Sequence, residues 1–364
     1  MKAIAAFLLL PFVALAEVRI EPVPEHGVQP QVAVDSDGTT HLVYLTGAPG
    51  ASDVHYVTRK RGVRDWSTPI TVNSEPGSAI AMGTIRGAQL ATGKGGAVHV
   101  VWNGAAIPGT KPPRSPLWVS RMPSGSGRFE PQRDLIDGCP GLDGGASIAA
   151  DSKGAVFVVW HGPGAQPGET SRVVRVRKSA DDGATFAPPF IATADKAGVC
   201  ACCSLRASVA SDGALHVLYR AAHTVAQRDM TLLTSRDGGS TFRSETISPW
   251  AGNTCPMSSA VFLPAAASMR MAWETDGKIL TALIGGNPME LGKGKHPSLS
   301  ANPRGETLAV WTTGTGWARG GALEWTLLAA DGKPAAQSGH EAGVPAWSFA
   351  TAYAEPAGDF VILR

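Results

Sequence analysis

An all-β chain built as a ring of repeated four-stranded units is what three features of this 364-residue sequence predict. The chain holds 43 Gly and 27 Pro, far more turn formers than a helical protein uses. Val, Thr and Trp recur in short alternating bursts bounded by turn residues, which is the period of half-buried strands. The third feature is a repeat. An apolar strand, a tight turn with Gly and a second strand ending in an aromatic recur at Tyr44, Trp102, Trp160, Tyr219, Trp273 and Trp311, at intervals of 58, 58, 59, 54 and 38 residues. Repeats of this length, made of four short strands, read as β-propeller blades, six or seven of them.

The elements follow in order. Residues 1–16, MKAIAAFLLLPFVALA, carry one basic residue, a short apolar core and Ala14-Leu15-Ala16 before Glu17, the pattern of a secretory signal peptide. The apolar run is too short to span a bilayer, so the expectation is export to the periplasm or the medium, with residues 17–364 as a single domain. Residues 18–23, VRIEPV, are expected to add an outer strand to the last blade and close the ring. Gly38, Gly96, Gly154, Gly213 and Gly305 each stand six residues before their aromatic, where a hairpin turn needs a left-handed residue; Ala267 takes that place in the fifth copy. Gly358, six before Arg364, marks a seventh copy. Outer strands are expected in DVHYVTRK, SPLWVSRM, SRVVRVRK and MTLLTS, each followed by a fourth strand.

Two of the turns joining third to fourth strands share the pattern S-x-D-x-G-x-T-F: Ser179, Asp181, Gly183, Thr185 and Phe186, and again Ser235, Asp237, Gly239, Thr241 and Phe242. The Ser and Asp side chains can bond turn amides, Gly takes the left-handed position, and Phe tucks under the blade. These motifs resemble the Asp boxes, or bacterial neuraminidase repeats, of the sialidase superfamily, and as a repeat pattern the resemblance covers nearly the whole mature chain. It implies a β-propeller whose boxes lie away from the active face, and a glycan-directed function, either exo-sialidase-like hydrolysis or sugar binding. Sialidase-type hydrolysis uses a Tyr paired with Glu, plus three arginines on the sugar carboxylate. Tyr44 and Tyr219 are repeat aromatics, Tyr56 lies on an outer strand and Tyr353 ends a first strand on the far face, so no tyrosine is identified as the nucleophile.

In a propeller the loops leading into each first strand and those leaving each second strand open on one face, around the channel. Cys139 stands 21 before Trp160; Cys200, Cys202 and Cys203 stand 19, 17 and 16 before Tyr219; Cys255 stands 18 before Trp273. All five cysteines therefore fall on equivalent leading loops of adjacent blades, with Met257 beside them. Two readings stay open, disulfides stapling neighbouring loops with one thiol over, or a soft-ligand site for copper or zinc; a redox role is the remainder. Just after the repeat aromatics stand Asn103, His161, Arg220 and Glu274. Arg220, Arg206, Glu274 and Asp143 are the candidates for catalysis. Arg86, Asn103, His161, Arg228 and Asp229 are those for substrate binding, the arginines as bidentate partners of a carboxylate. His41, His99 and His216 are read as satisfied interblade histidines. A net charge of +2 with scattered basic residues excludes a phosphate-tracking surface, so the expected partner is a glycan or small molecule at the mouth of a monomer, not nucleic acid. A non-hydrolytic metal or redox propeller, or a protein interaction platform, is the alternative.

Overall fold

The computed structural model describes residues 16–107, 109, 114–136, 142, 144–193, 198–252, 256–265 and 268–364. They form seven sheets, six antiparallel ones of four strands in simple sequence order and a seventh, mixed, of three. The innermost strands are Val28–Val34, Gln89–Thr92, Ser147–Ala150, Arg206–Val209, Ala260–Ala265, Lys295–Ala301 and Thr351–Ala354, which we number as blades 1 to 7. Each packs beside the next, and that of blade 7 lies beside that of blade 1, so the ring is closed. Together they line a central channel of about 430 Å³.

Val18–Glu21 pairs in parallel with Phe360–Leu363, giving blade 7 its third strand as expected. The zipper runs on at both ends, where the Phe360 amide donates to the Glu17 carbonyl and the Val23 amide to that of Arg364. Ala16, the expected last residue of the signal, is buried and its carbonyl accepts from Gln337 Nε2 at 2.9 Å. Residues 1–15 lie outside the described residues.

The core is divided among the blade boundaries. Seven buried apolar clusters each join two neighbouring blades. The repeat aromatics explain this: Trp102 packs with blade 1 side chains, Trp160 with those of blade 2, Tyr219 with blade 3, Trp273 with blade 4 and Trp311 with blade 5. Each is a wedge at a boundary, and replacing such a ring by alanine costs roughly 3–5 kcal/mol. In blade 7 Arg364 holds the place of the wedge and still reaches back, its guanidinium bonding the Gly343 carbonyl and the Glu341 carboxylate of blade 6.

The turn glycines take the conformation that their spacing requires: Gly38, Gly96, Gly154, Gly213, Gly305 and Gly358 have φ between 79° and 103°. Ala267 lies outside the described residues. The two S-x-D-x-G-x-T-F turns superimpose in their hydrogen bonds. In the first, Ser179 Oγ accepts from the Gly183 amide at 2.8 Å while Asp181 accepts from the Thr185 amide at 2.8 Å and its hydroxyl at 2.6 Å. In the second, the Gly239 amide, Thr241 amide and Thr241 hydroxyl give 2.8, 2.9 and 2.6 Å. These bonds hold both aspartates well below the usual carboxylate range. The first box also clamps blade 3 to blade 2, because Arg121 and Arg133 donate to the carbonyls of Asp182, Gly183 and Ala184.

The three histidines are satisfied, and two of them reach a neighbouring blade, His216 through its ring, whose centroid lies 6.2 Å from that of Phe262 in blade 5. His99 Nε2 meets Asp182 of blade 3 at 3.1 Å. His41 instead bonds Tyr56 and Asp35 of its own blade, and His216 bonds Thr234 of its own.

Candidate functional site

The face that carries the leading loops is where the chemistry-bearing residues collect, but they form three separate groups. The first surrounds the cysteines of blade 4. The loop from Val199 runs back along its own second strand, the Cys200 amide donating to the Arg220 carbonyl at 2.9 Å. This lays Cys200 and Cys203 side by side, the Cys200 thiol 3.5 Å from the Cys203 sulfur and 3.8 Å from that of Cys202. Cys200 and Cys203 are free thiols, 1% and 4% exposed, whereas Cys202 is not free. Cys139, Cys255 and Asp143 lie outside the described residues. Hydrogen bonding from Cys200 brings the Cys203 thiol down to about 7, helped by the Arg220 guanidinium, while the same bond and burial push Cys200 up. The Glu169 carboxylate comes within 4.8 Å of the Cys200 and Cys202 sulfurs, a donor set of the kind that zinc or copper uses. Its oxygens are committed, however, one to the Ala201 amide at 2.6 Å and the other to Arg228 at 2.6 Å.

The residues after the repeat aromatics are buried ties between blades. Arg220 stacks on Trp250 with its guanidinium 5.0 Å from the ring centroid, bonds the Arg228 carbonyl, and meets Glu274 of blade 5 at 3.3 Å. Both members of that pair are nearly inaccessible, and burial raises the Glu274 carboxyl. Asn103 Nδ2 donates to the Gly144 carbonyl of blade 3 at 2.8 Å. His161 sits so close to Gly144 that a Cβ there would come within 2.2 Å of its Nε2, so the glycine is required by the approach. Asp229 accepts from the Trp250 amide at 2.9 Å and Gln227 at 3.1 Å.

The second group faces the channel. Arg206, on the innermost strand of blade 4, donates from Nε to the Ala260 carbonyl, and no carboxylate among the described residues pairs with it. Burial lowers it to about 10. His296, next to it electrostatically and 3.3 Å from Ser259 Oγ, is brought down to about 3 by burial, with Lys295 and Arg206 adding to the shift.

The third group was not anticipated by the spacing of the cysteines and arginines. A shallow groove is lined by Gly83, Thr84, Met257, Lys295, His296 and the loop 315–317, with Trp347 at its edge. Trp317 is 58% exposed and stands edge-on to Trp347, ring centroids 6.5 Å apart. Met257, His296 and Trp347 all hold φ near +50°, a conformation that costs such residues about 1–3 kcal/mol each and collects at binding sites. Arg86 is here too, its Nη1 3.7 Å from where a Cβ on Gly83 would stand, beside the Trp317 ring. Met257 and His296 thus belong with the tryptophans. The available signal was phase: Trp317 lies six residues past the Trp311 wedge, in a loop leaving a second strand.

Arg86, Arg206 and Arg220, expected to act as one clamp, hold different partners in three different groups. Among the described residues the groove has no Asp or Glu in its lining.

No protein-family model matches the sequence, and no curated protein matches it. Solved structures do. The Hadza microbial sialidase Hz136 aligns over 86% of this chain and 68% of its own at 18% identity, with a TM-score of 0.52. The Penicillium chrysogenum α-L-arabinanase aligns over 91% of this chain and 98% of its own at 11% identity, with a TM-score of 0.51. At such identities the likeness is one of fold, and it agrees with the β-propeller architecture of this chain.

Proposed function

We propose that this protein is an exported propeller that binds an acidic glycan on the face of the leading loops, with Trp317 as the platform on which a sugar ring stacks. The observation that carries the proposal is the exposed Trp317 standing on Trp347 at the rim of a groove that also presents Lys295. An aromatic face supplies contact area, and the Lys295 ammonium favours a sugar that carries a carboxylate. Glycan-acting propellers among the structural neighbours agree with a sugar as ligand. Binding is favoured over hydrolysis because glycoside cleavage needs a pair of carboxyl groups flanking the bond, and the groove lining offers none among the described residues. Glu274 is held away from solvent by Arg220.

Titrating the mature protein with sialyllactose and with lactose, while following tryptophan fluorescence, tests this. The sialylated sugar should bind more tightly, and Trp317→Ala should weaken it by about tenfold or more, equivalent to about 1.4 kcal/mol. No binding of either sugar, or an unchanged affinity in the variant, would reject the reading. Turnover of a fluorogenic sialoside by the wild type, lost in Glu274→Gln, would replace it with hydrolysis.

A further inference from the structure

The blade 4 thiols are used by neither the fold's strand ladders nor the groove. Cys200 and Cys203 have the C-x-x-C spacing, and their sulfurs lie 3.5 Å apart, near enough to bond after small side-chain rotations. Arg220 and the Ser258 backbone favour the Cys203 thiolate, Glu274 opposes it, and Arg228 and Glu169 act on Cys200. A guanidinium beside a sulfur stabilises a thiolate.

We propose that Cys200 and Cys203 are a redox-active dithiol that is oxidised by hydrogen peroxide and closes to an internal disulfide. Burial selects the oxidant, since residues only 1% and 4% exposed disfavour a protein or glutathione-sized disulfide and leave a reagent little larger than water as the class proposed. The Cys203 thiolate attacks one peroxide oxygen; the O–O bond breaks, the leaving hydroxide takes up a proton and departs as water, and Cys203 becomes a sulfenic acid. Cys200 then attacks that sulfur, the S–O bond breaks, and the oxygen leaves as a second water with the Cys200 proton. Two thiols and one peroxide thus become one disulfide and two waters. This chemistry is independent of glycan binding.

The test uses the full mature chain, reduced, freed of reductant under nitrogen, treated with one equivalent of hydrogen peroxide, alkylated and digested with trypsin. Cys200, Cys202 and Cys203 fall in one peptide, 197–206. The expected product joins Cys200 to Cys203, making the peptide two hydrogens lighter and removing both from alkylation. In Cys200→Ser the reaction should stop at a Cys203 sulfenic acid that dimedone captures. The proposal is overturned if both thiols remain alkylatable after peroxide, if either is found joined to Cys202, Cys139 or Cys255, or if both are protected before peroxide by bound copper or zinc.

Discussion

At the scale of single residues, the most consequential group is the buried pair Arg220 and Glu274, 3.3 Å apart and both about 98–99% inaccessible. Removing one partner of such a pair leaves an uncompensated charge in a dry site and costs about 3–5 kcal/mol, whereas replacing both by apolar residues is far milder. Urea unfolding of Arg220→Met, Glu274→Met and the double variant should therefore show strong non-additivity, with the double closer to wild type than Arg220→Met alone. Additive losses would show that the two act separately. His296 makes a second residue-scale prediction. Its ring is held neutral down to about 3 among Arg206, Lys295 and Ser259, while an unfolded histidine titrates near 6.5. Between those values the unfolded chain binds the extra proton, so this contribution is complete above about 6.5 and is lost as the pH falls toward 3, at up to about 1.4 kcal/mol per unit. A His296→Gln variant should show a shallower loss of stability with acid over that window, measured by denaturant titration at a series of pH values.

At the scale of elements, the strand Val18–Glu21 matters beyond its length. It covers the outer side of Phe360–Leu363, whose four side chains are fully buried, and without it blade 7 would present an unpaired apolar edge. A chain starting at Pro22 should melt earlier and associate in a concentration-dependent way on analytical ultracentrifugation. Should it remain monomeric with an unchanged melting temperature, the strand is not what completes the ring. Cleavage after Ala16 would leave the Glu17 amine 3.0 Å from the Asp359 carboxylate, turning a backbone hydrogen bond into an ion pair at that closure.

At the scale of the whole molecule, the fold could be read because a propeller repeats one local problem. Most blades turn the hairpin on Gly and wedge an aromatic against the blade before, so Gly and Tyr or Trp recur six residues apart in five blades, and the repeat marks out the ring. Blade 5 lacks the turn glycine and blade 7 has Arg364 for its aromatic, and both still followed from their neighbours. Phase likewise put Cys200, Cys202, Cys203, Asn103, His161, Arg220 and Glu274 on one face. It could not say how deep each side chain would sit. Arg220 and Glu274 pair under the loops because they extend from adjacent blades toward one another, and Trp317 stays outside because no described residue covers its outer face.

Sequence alone determined the ring of repeated blades, six or seven of them, the closing strand and the two S-x-D-x-G-x-T-F turns, because these depend on contacts within one blade or with the next. Tertiary structure decided which polar residues are ties and which face a ligand: that depends on how seven leading loops meet over one channel, and the loops differ in length and share no pattern.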